Sequence, residues 1–100
     1  MQVNLTEDEA TLKPFEETVS KFYIRLKTED SPGVIGYLGL ACGDHGVSLE
    51  SVMQLHTDPD STASIVLVTH AVKESNLQAA LQQIKQLNTT QSVACVLRVW

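Results

Sequence analysis

At 100 residues the chain has the length of one domain, with room for a real core but little for a deep catalytic cleft beside it. Apolar residues make up 43% and charged residues 19%, the balance of an ordinary globule, and no apolar run approaches the ~20 residues of a membrane span. Seven Lys and Arg stand against twelve Asp and Glu, a net charge of −5, which disfavours nucleic-acid phosphates and anionic membrane surfaces as partners.

Residues 1–18 show no sustained period, are frequently acidic and are interrupted by Pro14. They read as a linker or tail with one short helical turn near Thr6–Leu12, and the start has neither the basic nor the apolar region of a secretory signal. The folded domain is expected over residues 19–100. From Val19 to Lys27, Phe22, Ile24 and Leu26 alternate with Tyr23, Arg25 and Lys27, a period of two that predicts a strand with one apolar face. Thr28 to Gly33 collects turn and cap residues. Ser31 is the expected N-cap of a helix and Pro32 its first residue, where a missing N–H costs nothing.

Val34, Ile35, Leu38, Ala41 and Cys42 then recur at helical spacing to about Asp44 or His45, with Gly46 placed for a left-handed C-terminal cap. Gly36 and Gly39 inside this helix each cost about 1 kcal/mol relative to Ala. Close packing on the sheet would offset that, and so would the approach of a ligand or partner backbone. Val47, Leu49, Met53 and Leu55 suggest a second strand, with Ser51 the odd member of its apolar face. Thr57 to Ser61 is a turn, Ala63 to His70 a third strand that is apolar throughout Ile65–Val68, and Leu77, Ala80, Leu81, Ile84 and Leu87 form a second amphipathic helix. Val93 to Trp100 closes the chain as a strand. The order β-α-β-β-α-β predicts an α+β, ferredoxin-like fold: a four-stranded antiparallel sheet with two helices on one face. Its other face would carry either Val66 and Val68 or Ile65 and Leu67, apolar enough to favour self-association.

No catalytic constellation emerges. GxGxxG, P-loop and GxSxG patterns are absent. His45, His56 and His70 share no zinc-like spacing with each other or with Cys42 and Cys95, so no metal is expected. The two cysteines form no CxxC and fit small buried side chains in a reducing cytoplasm. What remains is the loop from Glu29 to Val34 running into a helix N-terminus. Free N–H groups and the helix dipole there would seat a carboxylate, Gly33 would not block approach, and Asp30 could bind an α-amino group. The plain alternative is that Asp30 to Gly33 only start the helix.

Residues 22–36, with Asp30, Pro32, Gly33 and Val34 at their heart, followed by Gly46 and a second strand, resemble the ACT domain. Together with residues 65–70 and Leu97-Arg-Val-Trp100, the stretch from about 18 to 100 is similar to the C-terminal regulatory domain of homoserine dehydrogenase. The resemblance implies a non-catalytic module that binds an amino acid, threonine for feedback inhibition of an aspartate-family pathway, and that forms a homodimer or higher homo-oligomer. It implies that Asp30 and Gly33 line the ligand, that Val34 and Ile35 offer backbone amides, and that Leu49 faces it from the neighbouring copy. Many sites of this kind have Asn at the position of Asp30, so amine recognition here would be by charge. An NAD(P) cofactor would belong to a catalytic portion that this sequence does not contain. The alternative is a stand-alone dimerisation or amino-acid-binding module with no attached enzyme.

Overall fold

Alternation along the first strand decides which face of the sheet meets the helices. In the computed structural model, which describes residues 18–99, β1 runs over Val19–Glu29 and buries Phe22, Ile24, Leu26 and Thr28 on one face. Helix α1 (Val34–Asp44), strands β2 (Leu49–Thr57) and β3 (Thr62–Thr69), a two-residue β4 (Val72–Lys73), helix α2 (Glu74–Gln86) and β5 (Thr90–Val99) follow. All pairings are antiparallel: β2 lies on β3, β3 on β1, and β5 on the other side of β1. This is the expected βαββαβ arrangement, with β4 a short extension of the β3 edge against Val19 and Ser20. The tail, its expected helical turn and Trp100 lie outside the described residues.

The core joins Phe22, Ile24, Leu26, Ile65 and Leu67 from the sheet to Leu38, Ala41 and Cys42 of α1 and to Leu77, Leu81 and Ile84 of α2. Burying one such large apolar side chain is worth about 1.5–3 kcal/mol. Register settles the open face: Tyr23 pairs with Val68 and Arg25 with Val66, so Val66 and Val68 point away from the helices. Where β3 gives way to β4 the ladder is interrupted. There the Phe22 N–H donates to the buried Thr69 hydroxyl at 3.0 Å, which satisfies a donor the strand no longer pairs.

Four expectations need correction. Ser31 is not the N-cap and Pro32 is not helical. Instead the Val34 N–H donates to the Ser31 carbonyl at 3.4 Å and Gly33 sits at φ 85°, ψ −7°, the geometry of a type II turn with Pro and Gly at its centre. Gly36 and Gly39 are not sites of close packing, because a Cβ at either would meet nothing within 4 Å. The apolar row of β2 does not stay on one face. A register shift between Leu49 and Ser51 leaves Leu49 packed against the core and places Met53 opposite Val66 on the open face. Finally, Cys42 is buried but Cys95 is only half-buried, opposite Arg25.

The end of α1 behaves as its sequence predicts. Gly46 has φ 72°, its N–H donates to Gly43 at 3.1 Å, and the Val47 N–H reaches back to Cys42 at 2.9 Å, which is a Schellman cap closed by buried Val47.

Candidate functional site

The site is built on the turn between β1 and α1. Gly33 is there because only a residue without Cβ takes φ 85° without strain, and that angle swings the chain from strand into helix within two residues. Helix geometry leaves the N–H groups of the first turn without intrahelical acceptors. The Val34 N–H is taken by the Ser31 carbonyl and the Tyr37 N–H donates to Gly33 at 3.0 Å, so the donors between them, on Ile35 and Gly36, line the helix mouth. The loop is fixed on its other side as well. Asp30 N–H donates to the Ser61 carbonyl at 3.0 Å, tying the loop to the β2–β3 hairpin. That hairpin turns on Ser61, a non-glycine residue at φ 65°, and Asp60 braces it by accepting from the Thr62 N–H at 3.2 Å and from its hydroxyl at 2.5 Å. The Thr62 hydrogen bond is also the main reason the Asp60 carboxyl is held below its ordinary range, with Lys27 contributing.

A cleft of about 230 Å³ opens beside this turn. Its rim is Glu29, Asp30 and Ser31, its helix wall Gly33, Val34, Ile35 and Gly36, and its floor Ala63, Ile65 and Gln54 from the two neighbouring strands. Four of the five residues singled out from the sequence, Asp30, Gly33, Val34 and Ile35, therefore meet in one cavity. Leu49, expected to face the ligand from a neighbouring copy and not from this one, pairs with Thr69 at the far end of β2 and is half-buried against the core of its own chain. Gln54 was missed. It is the only amide in β2, in register with Ile65, and its place between Met53 and Leu55 was the signal available.

Chemically the cleft offers carboxylates on one side, peptide N–H donors on another, an apolar floor and one amide. An ammonium group fits the first, a carboxylate the second, and a small side chain the rest. The open glycine at position 36 keeps the helix wall low, which accounts for its cost to the helix better than packing does.

Away from the cleft, Glu50 is held below its usual carboxyl range by Lys21, which bonds it at 2.5 Å. Burial pushes the Cys42 thiol up. Glu74 and Arg98 form a largely buried pair at 2.9 Å. Arg98 also donates to the Ser20 hydroxyl at 2.9 Å and lies 5.3 Å from the Phe22 ring centre, and Gln78 donates to the other Glu74 oxygen at 2.8 Å. Among the described residues, no cluster of His, Cys, Asp and Glu has the makings of a metal site.

The ACT domain family model matches residues 22–89, which takes in most of β1, the glycine turn, both helices and the hairpin. The chain is 47% identical over 88 residues to homoserine dehydrogenase from Synechocystis, covering 88% of this chain and 20% of that enzyme. In structure it resembles a homoserine dehydrogenase from Thiobacillus denitrificans, with a TM-score of 0.76 at 26% identity over 86% of this chain and 19% of that one. The ACT domain of a GTP pyrophosphokinase from Chlorobium tepidum shares the fold, with a TM-score of 0.58 at 15% identity over 82% of this chain and 100% of the other. The chain thus spans about a fifth of the length of the homoserine dehydrogenases it matches. From the type II glycine turn to the antiparallel sheet behind it, this chain belongs to the ACT domain family.

Proposed function

We propose that this chain is the amino-acid-sensing part of a homoserine dehydrogenase and that its effector is threonine. The observation that carries the reading is the cleft at the β1–α1 turn, where Asp30 stands beside the first-turn N–H groups of α1. A zwitterion placed there has its ammonium at Asp30 and its carboxylate at the helix mouth, so both charges are met without a cofactor or a metal. A volume of about 230 Å³ suits a small amino acid rather than a nucleotide. Gln54 is placed to accept from or donate to a side-chain hydroxyl, which favours threonine over an apolar residue of the same size.

The cleft is open on one side, and a second copy would complete it, with Leu49 of that copy facing the ligand. Threonine would then favour one arrangement of two copies, and the chain ahead of β1 would pass that preference to the rest of the enzyme. Coupling of this kind is typically about 1–3 kcal/mol and equals the ligand's difference in affinity for the two arrangements. A nicotinamide cofactor would be held elsewhere in such an enzyme, since this chain carries no glycine-rich phosphate fingerprint. Calorimetric titration of threonine into the wild-type chain and the Asp30→Ala variant tests the site. Loss of at least about tenfold in affinity, the equivalent of one charge-assisted hydrogen bond, is expected. Equal affinity would place the ligand elsewhere.

A further inference from the structure

The open face of the sheet is not used by the proposed sensor. The cleft lies on the helix side, and its contact with a second copy would run through the β1–α1 turn and β2. Yet the open face is apolar: Met53 is 51% exposed and Leu97 54%, with Val68, Cys95 and Val99 on the same surface. In its middle stands Arg25, exposed and in register with Val66 on one side and Cys95 on the other.

The neighbouring cations on this row of β1 are already matched. Lys21 bonds Glu50 at 2.5 Å, and Lys27 lies 3.5 Å from Asp58 and 3.6 Å from Asp60. Arg25 meets no carboxylate among the described residues. Whatever covers the apolar positions around it must also cover its guanidinium, and a buried cation without a partner is too costly for a stable contact. The covering surface must therefore bring a carboxylate in apolar surroundings. A second copy laid face to face with centres aligned brings Arg25 against Arg25, with a net charge of −5 on each chain. The homoserine dehydrogenases this chain matches carry about four-fifths of their length outside the matching part.

We infer that the open sheet face is a docking surface for an apolar, carboxylate-bearing surface on the remainder of the same polypeptide, with Arg25 as its central anchor. This rests on the reading that the chain is part of a longer homoserine dehydrogenase. Docking there links the sheet mechanically to the rest of the enzyme by a route separate from the tail ahead of β1.

Cys95 is a built-in reporter, because its thiol sits on that face beside Arg25 while Cys42 is buried and silent. Alkylation of Cys95 is followed by mass spectrometry of the tryptic peptide 86–98, in this chain alone and in the full-length enzyme. A rate at least about tenfold slower in the full-length enzyme is expected, since protection equals the equilibrium constant for the covered state. Arg25→Glu should restore the rate seen in the chain alone, Arg25→Lys should keep most of the protection, and threonine affinity of the isolated Arg25→Glu chain should be unchanged. Equal rates in chain and full-length enzyme overturn the inference, as does protection that survives Arg25→Glu. Slow labelling of the isolated chain that speeds up on dilution also overturns it, because a second copy then covers the face. None of the labelling outcomes depends on whether threonine is the ligand, so failure there leaves the sensor reading standing.

Discussion

Two glycine-to-alanine substitutions six residues apart should move stability in opposite directions. Gly33 is held at φ 85°, and an L-residue forced into left-handed backbone costs about 1–2 kcal/mol. The new methyl would lie 3.8 Å from Cε2 of Tyr37, an ordinary contact, so the cost is in the backbone and not in a clash. Gly39 lies within α1, and a Cβ there meets nothing within 4 Å. Gly39→Ala removes a poor helix former at no steric cost and should gain about 0.5–1 kcal/mol. In a domain this size 1 kcal/mol shifts the melting temperature by about 4–8 °C. Urea and thermal unfolding of the two variants beside the wild type would resolve both shifts. A Gly33→Ala variant as stable as the wild type would refute the type II turn, and a destabilised Gly39→Ala would refute the open helix surface.

Removing Arg98 leaves the largely buried Glu74 carboxylate without its cation. Arg98→Met should cost about 3 kcal/mol in urea unfolding, and a double-mutant cycle with Glu74→Ala should recover a coupling of about 1–3 kcal/mol. Glu50 has its pKa lowered in the fold by Lys21, so it binds fewer protons folded than unfolded. The stability it lends is present above its ordinary pKa and is lost as pH falls through the lower, folded value. Glu50→Gln should therefore be slightly less stable than the wild type at neutral pH, and the difference should close as acid unfolding carries the pH below about 4.

The order and type of the long elements were legible because they rest on periodicity. Phe22, Ile24 and Leu26 mark β1, and Leu77, Leu81 and Ile84 mark α2, and both sets face the core as their spacing predicts. Gly46 was legible for a different reason, since a glycine just past an apolar helical run has few roles other than a left-handed cap. The helix start was misread because Ser-Pro-Gly serves equally as a cap and as a type II turn, and only the positive φ of Gly33 separates the two. Beyond Leu49 the facing of β2 was not legible. A register shift adds a residue without changing the alternation of the sequence, so the pattern through Met53 looked continuous while the strand changed face. The end of β1 and the start of β5 were extended by pairing, Thr28 with Thr90, which polar residues do not announce.

In the candidate site the local part was readable and the distant part was not. Asp30, Gly33, Val34 and Ile35 are contiguous in sequence and meet in the cleft because one turn carries them. Gln54 and Ala63 reach the same cleft only through the β2–β3 hairpin, whose place beside the turn is set by the Asp30 N–H bond to Ser61. Nothing in the sequence separates Arg25 from Lys21 and Lys27, because the carboxylates that match those two come from β2 and the β2–β3 turn.

The most direct test of the central claim is the unfolding temperature of the purified chain across a panel of the common amino acids at millimolar concentration. The account predicts a selective rise with threonine, up to about 2.7 kcal/mol at one hundred times the dissociation constant, which is lost in Asp30→Ala. A rise with a different amino acid would contradict the assignment of threonine. No rise with any amino acid would contradict the claim that this cleft is a sensor.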